Sequence, residues 1–240
     1  MIRDIVSRSS DFTPKDLSGL AMWLDGSDRY TLFTGTYADR LTTTTNPSSD
    51  GDLLCRWEDK SGNLRHAYAF SDGTRAMFES ADKLNGRTGT RLSGSRWDRP
   101  AFPSGPKTWF LVHKYDGGTP LYGAVCNNQE TYMGLAISAS TSYRVSFVRD
   151  NQAWVDSGFT QGTSPRVYMV NYTSLASRFW TIADKVSTLR QEVFSFGVAP
   201  AGASFISIPG RLYEVVAFNR NLSSQEILLM STYINKKWNL

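Results

Sequence analysis

The sequence predicts an all-β protein: two antiparallel sheets packed as a sandwich, with a short helical turn near the N-terminus and one amphipathic helix at the C-terminus. Three observations carry this expectation. From Leu53 onward, short apolar segments recur between turn signals, which is the spacing of a sandwich and not of strands alternating with helices. Several of these segments alternate with period two, as half-buried or buried strands do. The length of 240 residues suits one all-β domain, since such domains often run to about 200–250 residues.

Composition agrees with a self-sufficient core. The chain is 40% hydrophobic, 20% charged and 13% aromatic, with 19 Gly and 9 Pro, which excludes the disordered and collagen-like classes. A chain of this size removes roughly 70–75% of its unfolded surface from water, so no disulfide is required. Cys55 and Cys126 are therefore read as reduced and buried. No stretch approaches the roughly 20 apolar residues that cross a bilayer. Met1–Asp16 carries Arg3, Asp4, Arg8, Asp11, Lys15 and Asp16 where a signal peptide needs an apolar run, so secretion by that route is not expected. The net charge of +4, without a run of five like charges, implies no nucleic-acid partner.

The elements follow in order. Residues 1–12 are expected to form an N-terminal arm and 13–240 the domain. Thr13-Pro14-Lys15-Asp16 has a capping residue, proline at the first helical position and a carboxylate three residues after the cap; Gly19 ends that turn. Ala21–Leu24 reads as a short buried strand, closed by Asp25-Gly26-Ser27-Asp28. Thr42–Asp52, four threonines followed by Asn, Pro, Ser, Asp and Gly, reads as an exposed, mobile insertion. Trp109–Lys114 alternates with both faces largely apolar, which predicts a central strand covered on each side. Tyr143–Val148, Val167–Tyr172, Phe179–Ala183 and Leu212–Phe218 are further strands. In the last segment Ser223 and Glu226 form a capping box and Leu222 and Ile227 a hydrophobic staple. Ile227, Met230, Tyr233, Ile234 and Trp238 then share one helix face, with Lys236 and Lys237 at the end where the helix dipole favours cations.

Four segments in this order resemble the concanavalin A-like, laminin-G-like jelly-roll family: residues 17–28 (LSGLAMWLDGSD), 57–67 (WEDKSGNLRHA), 85–87 (NGR) and 212–226 (LYEVVAFNRNLSSQE). They match an early tryptophan-bearing strand, a D-x-S-G-N turn, an N-G-R turn before a core strand, and a penultimate strand leading through N-R-x-L-S into a terminal helix. The resemblance implies a jelly-roll sandwich. The fold hosts lectins, glycanases, adhesion modules and virus parts alike, so it does not fix a function. Free-standing members resemble those encoded by tailed bacteriophages. That likeness implies a virion protein made in the host cytoplasm, a capsid decoration or tail-associated part. Its partners would be other virion proteins, host-surface glycans and further copies of the same chain, with neither nucleic acid nor membrane.

Glycanases similar in fold place two carboxylates on one strand as E-x-D-x-E or E-x-D-x-x-E, so that both flank one glycosidic bond. No glutamate in this sequence has an aspartate two residues later. With His66 and His113 as the two histidines there is no H-E-x-x-H, and neither a G-x-S-x-G elbow nor a phosphate-binding glycine loop occurs. The expectation is therefore a protein that is not an enzyme; a lectin-like carbohydrate-binding module and a glycan-cleaving enzyme are the alternatives. No cofactor is expected. Calcium is the commonest ion on the fold it resembles, and Asp25, Asp28, Asp59 and Asn63 offer the hard oxygen ligands it prefers; the same residues suit turns that bond side chain to backbone, the reading favoured here. Glu214 is expected to be a partly buried carboxylate paired with Arg211 or Arg220, with a place in a groove as the alternative. Of the 7 Trp, 11 Tyr and 13 Phe, Trp23, Trp109, Phe110, Trp180 and Trp238 belong to the core by their apolar surroundings. Trp97, Tyr122, Tyr132 and Trp154 lie near polar, turn-rich segments and are the candidates for glycan or partner contact, because a flat ring beside a polar rim suits a pyranose or a protein interface.

Overall fold

The computed structural model describes residues 12–92, 95, 97–98, 108–116, 123–124, 134–138, 144–148, 155–160, 163–172, 177–182, 192–194 and 210–240. In chain order the strands of the first half are β1 (Leu20–Asp25), β2 (Leu32–Thr34), β3 (Leu53–Trp57), β4 (Ala67–Ala69), β5 (Ala76–Leu84), β6 (Arg87–Leu92), β7 (Trp97–Asp98) and β8 (Thr108–Tyr115). Those of the second half are β9 (Gly123–Ala124), β10 (Gly134–Ser138), β11 (Arg144–Val148), β12 (Val155–Thr160), β13 (Arg166–Tyr172), β14 (Ser177–Ile182), β15 (Glu192–Phe194) and β16 (Gly210–Phe218). One α-helix, α1 (Ser224–Trp238), follows. The larger sheet has the order β15-β14-β13-β8-β16-β6-β5-β3-β4-β7, with β1 added to β16 and β2 to β3; β12-β11-β10-β9 form a second sheet. The protein is an antiparallel β-sandwich with a single C-terminal helix.

Strand β8 occupies the centre for the reason its sequence gave: both faces are apolar. Trp109 and Leu111 enter one core cluster, together with Met22, Leu32, Leu54, Trp57, Phe78, Tyr168 and Val215. Phe110 and Val112 enter the other, beneath the helix, with Trp23, Val216, Phe218, Ile227, Met230, Ile234 and Trp238. His113 continues the first face and is fully buried.

Strand β16 breaks its alternation. Its register against β8 shifts between Leu212 and Glu214, so that Leu212 joins the first core while Tyr213 and Glu214 both turn towards the helix. Such a bulge re-aims a side chain. Here it brings a carboxylate under α1.

The helix begins as its sequence requires. The Ser223 amide donates to Glu226 Oε2 at 2.8 Å and the Glu226 amide donates to Ser223 Oγ at 3.3 Å. Leu222 and Ile227 are both buried, and Asn239 ends the helix with φ 54°. The first turn is also as expected: the Thr13 amide donates to Asp16 Oδ2 at 2.7 Å. Phe12 packs edge-on to Tyr233 with ring centres 6.2 Å apart.

One expectation is corrected here. Thr42–Asp52 is not a free insertion but a tied strap. The Asn46 amide group donates to the carbonyls of Leu32 and Tyr30 at 2.8 and 3.3 Å, and the Thr34 amide donates to the Thr45 carbonyl at 2.8 Å. Asp50 accepts from the Ser80 amide at 2.8 Å, and Asp52 from those of Ser48 and Ser49 at 2.7 and 2.9 Å. Polar side chains that bond distant backbone groups do the anchoring that apolar burial does elsewhere.

Candidate functional site

Two short turns ahead of the strap, on either side of β2, carry the exposed aromatic side chains Tyr30 and Tyr37. Asp28 caps the single 3-10 turn Arg29–Thr31 by accepting from the Tyr30 amide at 3.3 Å. That turn pushes Tyr30 outward, 68% exposed, with the Arg29 guanidinium 5.2 Å from its ring centre. After β2, a second 3-10 turn spans Ala38–Leu41. It is set by Thr36, whose amide and hydroxyl donate to Asp39 Oδ2 at 3.1 and 2.6 Å. The two bonds favour the ionised Asp39 carboxyl and hold it below its ordinary range. Tyr37 and Arg40 then stand three apart: the Arg40 guanidinium lies 3.7 Å from the Tyr37 ring centre, and its Nη1 donates to the Tyr37 carbonyl at 2.6 Å. Leu41 and Phe70 are exposed as well.

Arg56 fixes this surface from below. It is buried on β3, donates to the carbonyls of Arg40 and Thr43 at 3.2 and 2.8 Å, and lies 4.0 Å from the Phe33 ring centre. A neighbouring tie runs from Arg75 Nη1 to the Gly35 carbonyl at 2.7 Å, and another from the Tyr37 amide to Asp72 Oδ1 at 2.8 Å. These ties fix the backbone of the Tyr37 turn before any ligand arrives, which favours binding.

The remaining charged groups are largely committed to one another. Glu214 is buried and accepts four hydrogen bonds: from Trp23 Nε1 at 2.7 Å, Tyr233 Oη at 2.8 Å, Lys237 Nζ at 2.9 Å and Trp238 Nε1 at 2.6 Å. Its cation is therefore Lys237 on the helix, not Arg211 or Arg220, because the bulge in β16 turned it that way. Lys237 also meets Asp25 at 2.7 Å, and Lys60 bridges Asp25 and Asp28 at 3.0 and 2.9 Å. Burial alone would raise the Asp25 carboxyl, but the Lys237 and Lys60 ammoniums hold it below its ordinary value. Burial beside Glu214 and Asp25 pushes the Tyr233 phenol far up. At the opposite edge Glu79, also buried, accepts from Arg211 Nε at 3.1 Å, while Arg211 also pairs with Asp82 and Asp116 and Lys114 with Asp82.

This bears on each site expected from sequence. The set Asp25, Asp28, Asp59 and Asn63 does not fit calcium. Two of its carboxylates hold lysines; Asp59 accepts from the amides of Trp23, Ser61 and Arg65 at 2.8, 2.8 and 3.0 Å; and the Asn63 side-chain nitrogen donates to Leu20 O at 2.9 Å. Gly62 supplies the φ of +91° that this turn needs. Among the described residues no three acidic, histidine or cysteine side chains converge on a metal. Trp97 is half-buried against the first core, edge-on to Trp57 at 6.2 Å. Tyr122, Tyr132, Trp154 and Cys126 lie outside the described residues. Cys55 is buried and free, with burial raising its thiol. Tyr30 and Tyr37 were missed in the sequence. Their signals were the Asp28 cap, the Thr36/Asp39 box and the three-residue spacing of Tyr37 and Arg40.

No family model and no curated protein matches the chain. Among solved structures, Trypanosoma rangeli sialidase in complex with 2,3-difluorosialic acid is similar over 92% of this chain and 33% of its own length, at a TM-score of 0.51 and 14% identity. An arabinofuranosidase complexed with arabinofuranosyl-α-1,2-xylobiose is similar over 91% of this chain and 59% of its own, at 0.50 and 14%. The likeness supports an antiparallel β-sandwich. At this identity the likeness is one of fold, and the chain spans about a third of the sialidase. It nonetheless corrects the expectation that the protein is not an enzyme. The same sandwich stands in chains of two glycosidases, so neither the fold nor a missing E-x-D-x-E strand licenses that conclusion.

Proposed function

We propose that this chain is a glycan-recognising module that works through the two turns bearing Tyr30 and Tyr37. The observation that carries the reading is the pair of exposed rings beside hydrogen-bonding groups, Tyr37 on the turn that Arg56 anchors and Tyr30 on the turn whose carbonyl Asn46 holds, the combination that suits a pyranose face and its hydroxyl rim. Tyr122, Tyr132 and Trp154 belong to the same proposal as further contacts. A glycan array should give saturable binding that weakens about five- to tenfold in Tyr37→Ala, the loss of about 1 to 1.4 kcal/mol expected for one ring contact. Silence across the array, or a variant that binds as the parent does, would refute the reading.

The setting proposed for this module is a virion surface, as a capsid decoration or tail-associated part, supported by the likeness of the four sequence segments to free-standing bacteriophage members. Immunogold labelling of purified virions tests it: labelled particles are expected, and unlabelled particles would overturn that placement while leaving glycan recognition standing.

A further inference from the structure

We infer that the ligand of the surface formed by these two turns is a polysaccharide bearing carboxylate groups, taken by the Arg29 and Arg40 guanidiniums beside Tyr30 and Tyr37. This rests on the glycan-recognition reading and names its substrate class. Most cations near this face are already in use. Arg56 pairs with Glu58 at 3.2 Å, Lys60 with Asp25 and Asp28, Arg75 with Asp72 at 3.4 Å, Arg220 with Glu226, and Lys237 with Asp25 and Glu214. Among the described residues Arg29 and Arg40 meet no carboxylate. Each instead lies over its own exposed tyrosine. Arg40 spends Nη1 on the Tyr37 carbonyl, which leaves its Nε and Nη2 edge, like the guanidinium of Arg29, to meet a carboxylate in two parallel bonds.

Spacing supports a polymer with separated charges. The segment 43–46 runs back along β2, with the Thr43 hydroxyl bonded to Thr34 O at 2.8 Å and the Asn46 side chain to Leu32 O at 2.8 Å. The two tyrosine-bearing turns therefore stand at either end of a three-residue strand, roughly 10 Å apart at a strand's rise. Acidic groups flank them: Asp28 beside the first, Asp39 within the second and Asp72 bonded to the Tyr37 amide. A nucleic acid, with a phosphate at every nucleotide, would meet these carboxylates as well as the arginines. A glycan whose charges are separated by neutral, hydroxyl-bearing rings meets the arginines at its carboxylates and the aspartates at its hydroxyls.

The test uses the full chain with three probes: polygalacturonate oligomers, the same oligomers after carboxyl reduction, and oligothymidylate of equal charge. Binding is measured by calorimetry on the parent protein, on the double variant R29Q/R40Q and on Y30A/Y37A, all of whose substituted side chains are outside the core. The expected result is binding of polygalacturonate at least tenfold tighter than of its reduced form, with that preference lost in R29Q/R40Q and all binding lost in Y30A/Y37A. Equal affinity for charged and reduced oligomers, or an R29Q/R40Q protein that keeps the preference, would overturn the anionic ligand and leave glycan recognition in place. Tighter binding of oligothymidylate than of polygalacturonate would overturn it in favour of nucleic acid. No binding of either oligosaccharide would overturn both readings.

Discussion

Lowering the pH from neutral should destabilise the fold through one side chain, His113. It is fully buried on β8, between Arg166 on β13 and Leu212 on β16 in the sheet register, and among the described residues neither ring nitrogen has a hydrogen-bond partner. Burial alone lowers its pKa from 6.5 to about 4, because the imidazolium would have to leave water for an apolar core. The unfolded chain therefore takes up a proton below its ordinary pKa of 6.5 that the folded chain refuses until about 4, and stability falls as pH falls through that window. With these two values the linkage integral gives a loss of about 2 kcal/mol between about pH 7 and pH 5, approaching about 3 kcal/mol by pH 4. Urea denaturation at several pH values measures it directly. His113→Leu, close in volume and without nitrogens to desolvate, should lose about one proton's worth of that slope, and in the parent the His113 ring resonance should not shift between about pH 7 and pH 5. The carboxyls held low in the fold, Asp25 and Glu226 among them, lose their contributions only as pH falls through their ordinary values of 3.8 and 4.5 and below, so parent and variant are compared between about pH 7 and pH 5. Parallel pH profiles for parent and variant, or a His113 resonance that titrates near its ordinary value, would refute the reasoning.

Other expectations follow from the same structure. Glu214→Gln leaves Lys237 and two indole N–H groups facing a neutral amide in a buried site, and should lower stability by about 3 kcal/mol in chemical denaturation, the scale of a broken buried pair; a change under about 1 kcal/mol would show the network to be dispensable. The Arg220 bond, with help from the Ser223 amide, holds Glu226 down to about 2 from 4.5, so its contribution is present above 4.5 and lost as pH falls through about 2; Glu226→Gln should remove roughly 1 kcal/mol at neutral pH, a cap-sized loss for a solvent-screened pair, read as a lower melting temperature. Gly210→Ala places a Cβ 2.1 Å from the Lys114 carbonyl and 2.8 Å from His113 Nε2 at φ +145°, and should yield little folded protein on expression, whereas a parent-like melt would contradict the packing around His113. Chelation with EDTA should leave the melting temperature unchanged, since lysines occupy Asp25 and Asp28; a fall on chelation that calcium restores would show that an ion displaces them.

What the sequence made legible was local. The period of Trp109–Lys114, the capping box at Ser223 and the staple at Leu222 each depend on neighbours within a few positions, and each stands in the structure as read; Leu212–Phe218 is a strand, but its alternation is broken by the bulge before Glu214. What it hid depends on partners far along the chain. Strand β5, AMFESADKL, shows little apolar alternation because Glu79 is buried in it, and that burial is tolerated because Arg211, 132 positions away, supplies the counter-charge. The strap 42–52 carries no apolar pattern, and its order comes from Asn46 and Asp50 reaching carbonyls and amides that no spacing rule connects, with Asp52 closing a local turn on Ser48 and Ser49. Glu214 was recognised as a buried carboxylate, yet its cation was misassigned, since a one-residue bulge decides which face of β16 it joins and bulges leave no mark in an alternation of apolar residues.

The distribution of charge then separates scaffold from surface. A carboxylate taken out of water must be matched where it lies, and here the matching side chains come from elements remote in sequence: Lys237 from the helix for Glu214 and Asp25, Arg211 from β16 for Glu79. Those cations are unavailable to a ligand, because withdrawing one would leave its buried carboxylate unmatched. Arg56 is also withheld, being committed to Glu58 and to the carbonyls of the strap, but its commitment shapes the outer face: by fixing Arg40 and Thr43 it fixes the turn that presents Tyr37. A positive charge that no carboxylate of the fold requires, resting on a ring that the fold does not bury, is the kind of feature a scaffold leaves for a partner. Arg29 on Tyr30 and Arg40 on Tyr37 both meet that description, which is why a ligand with its own negative charge fits this face better than a neutral one.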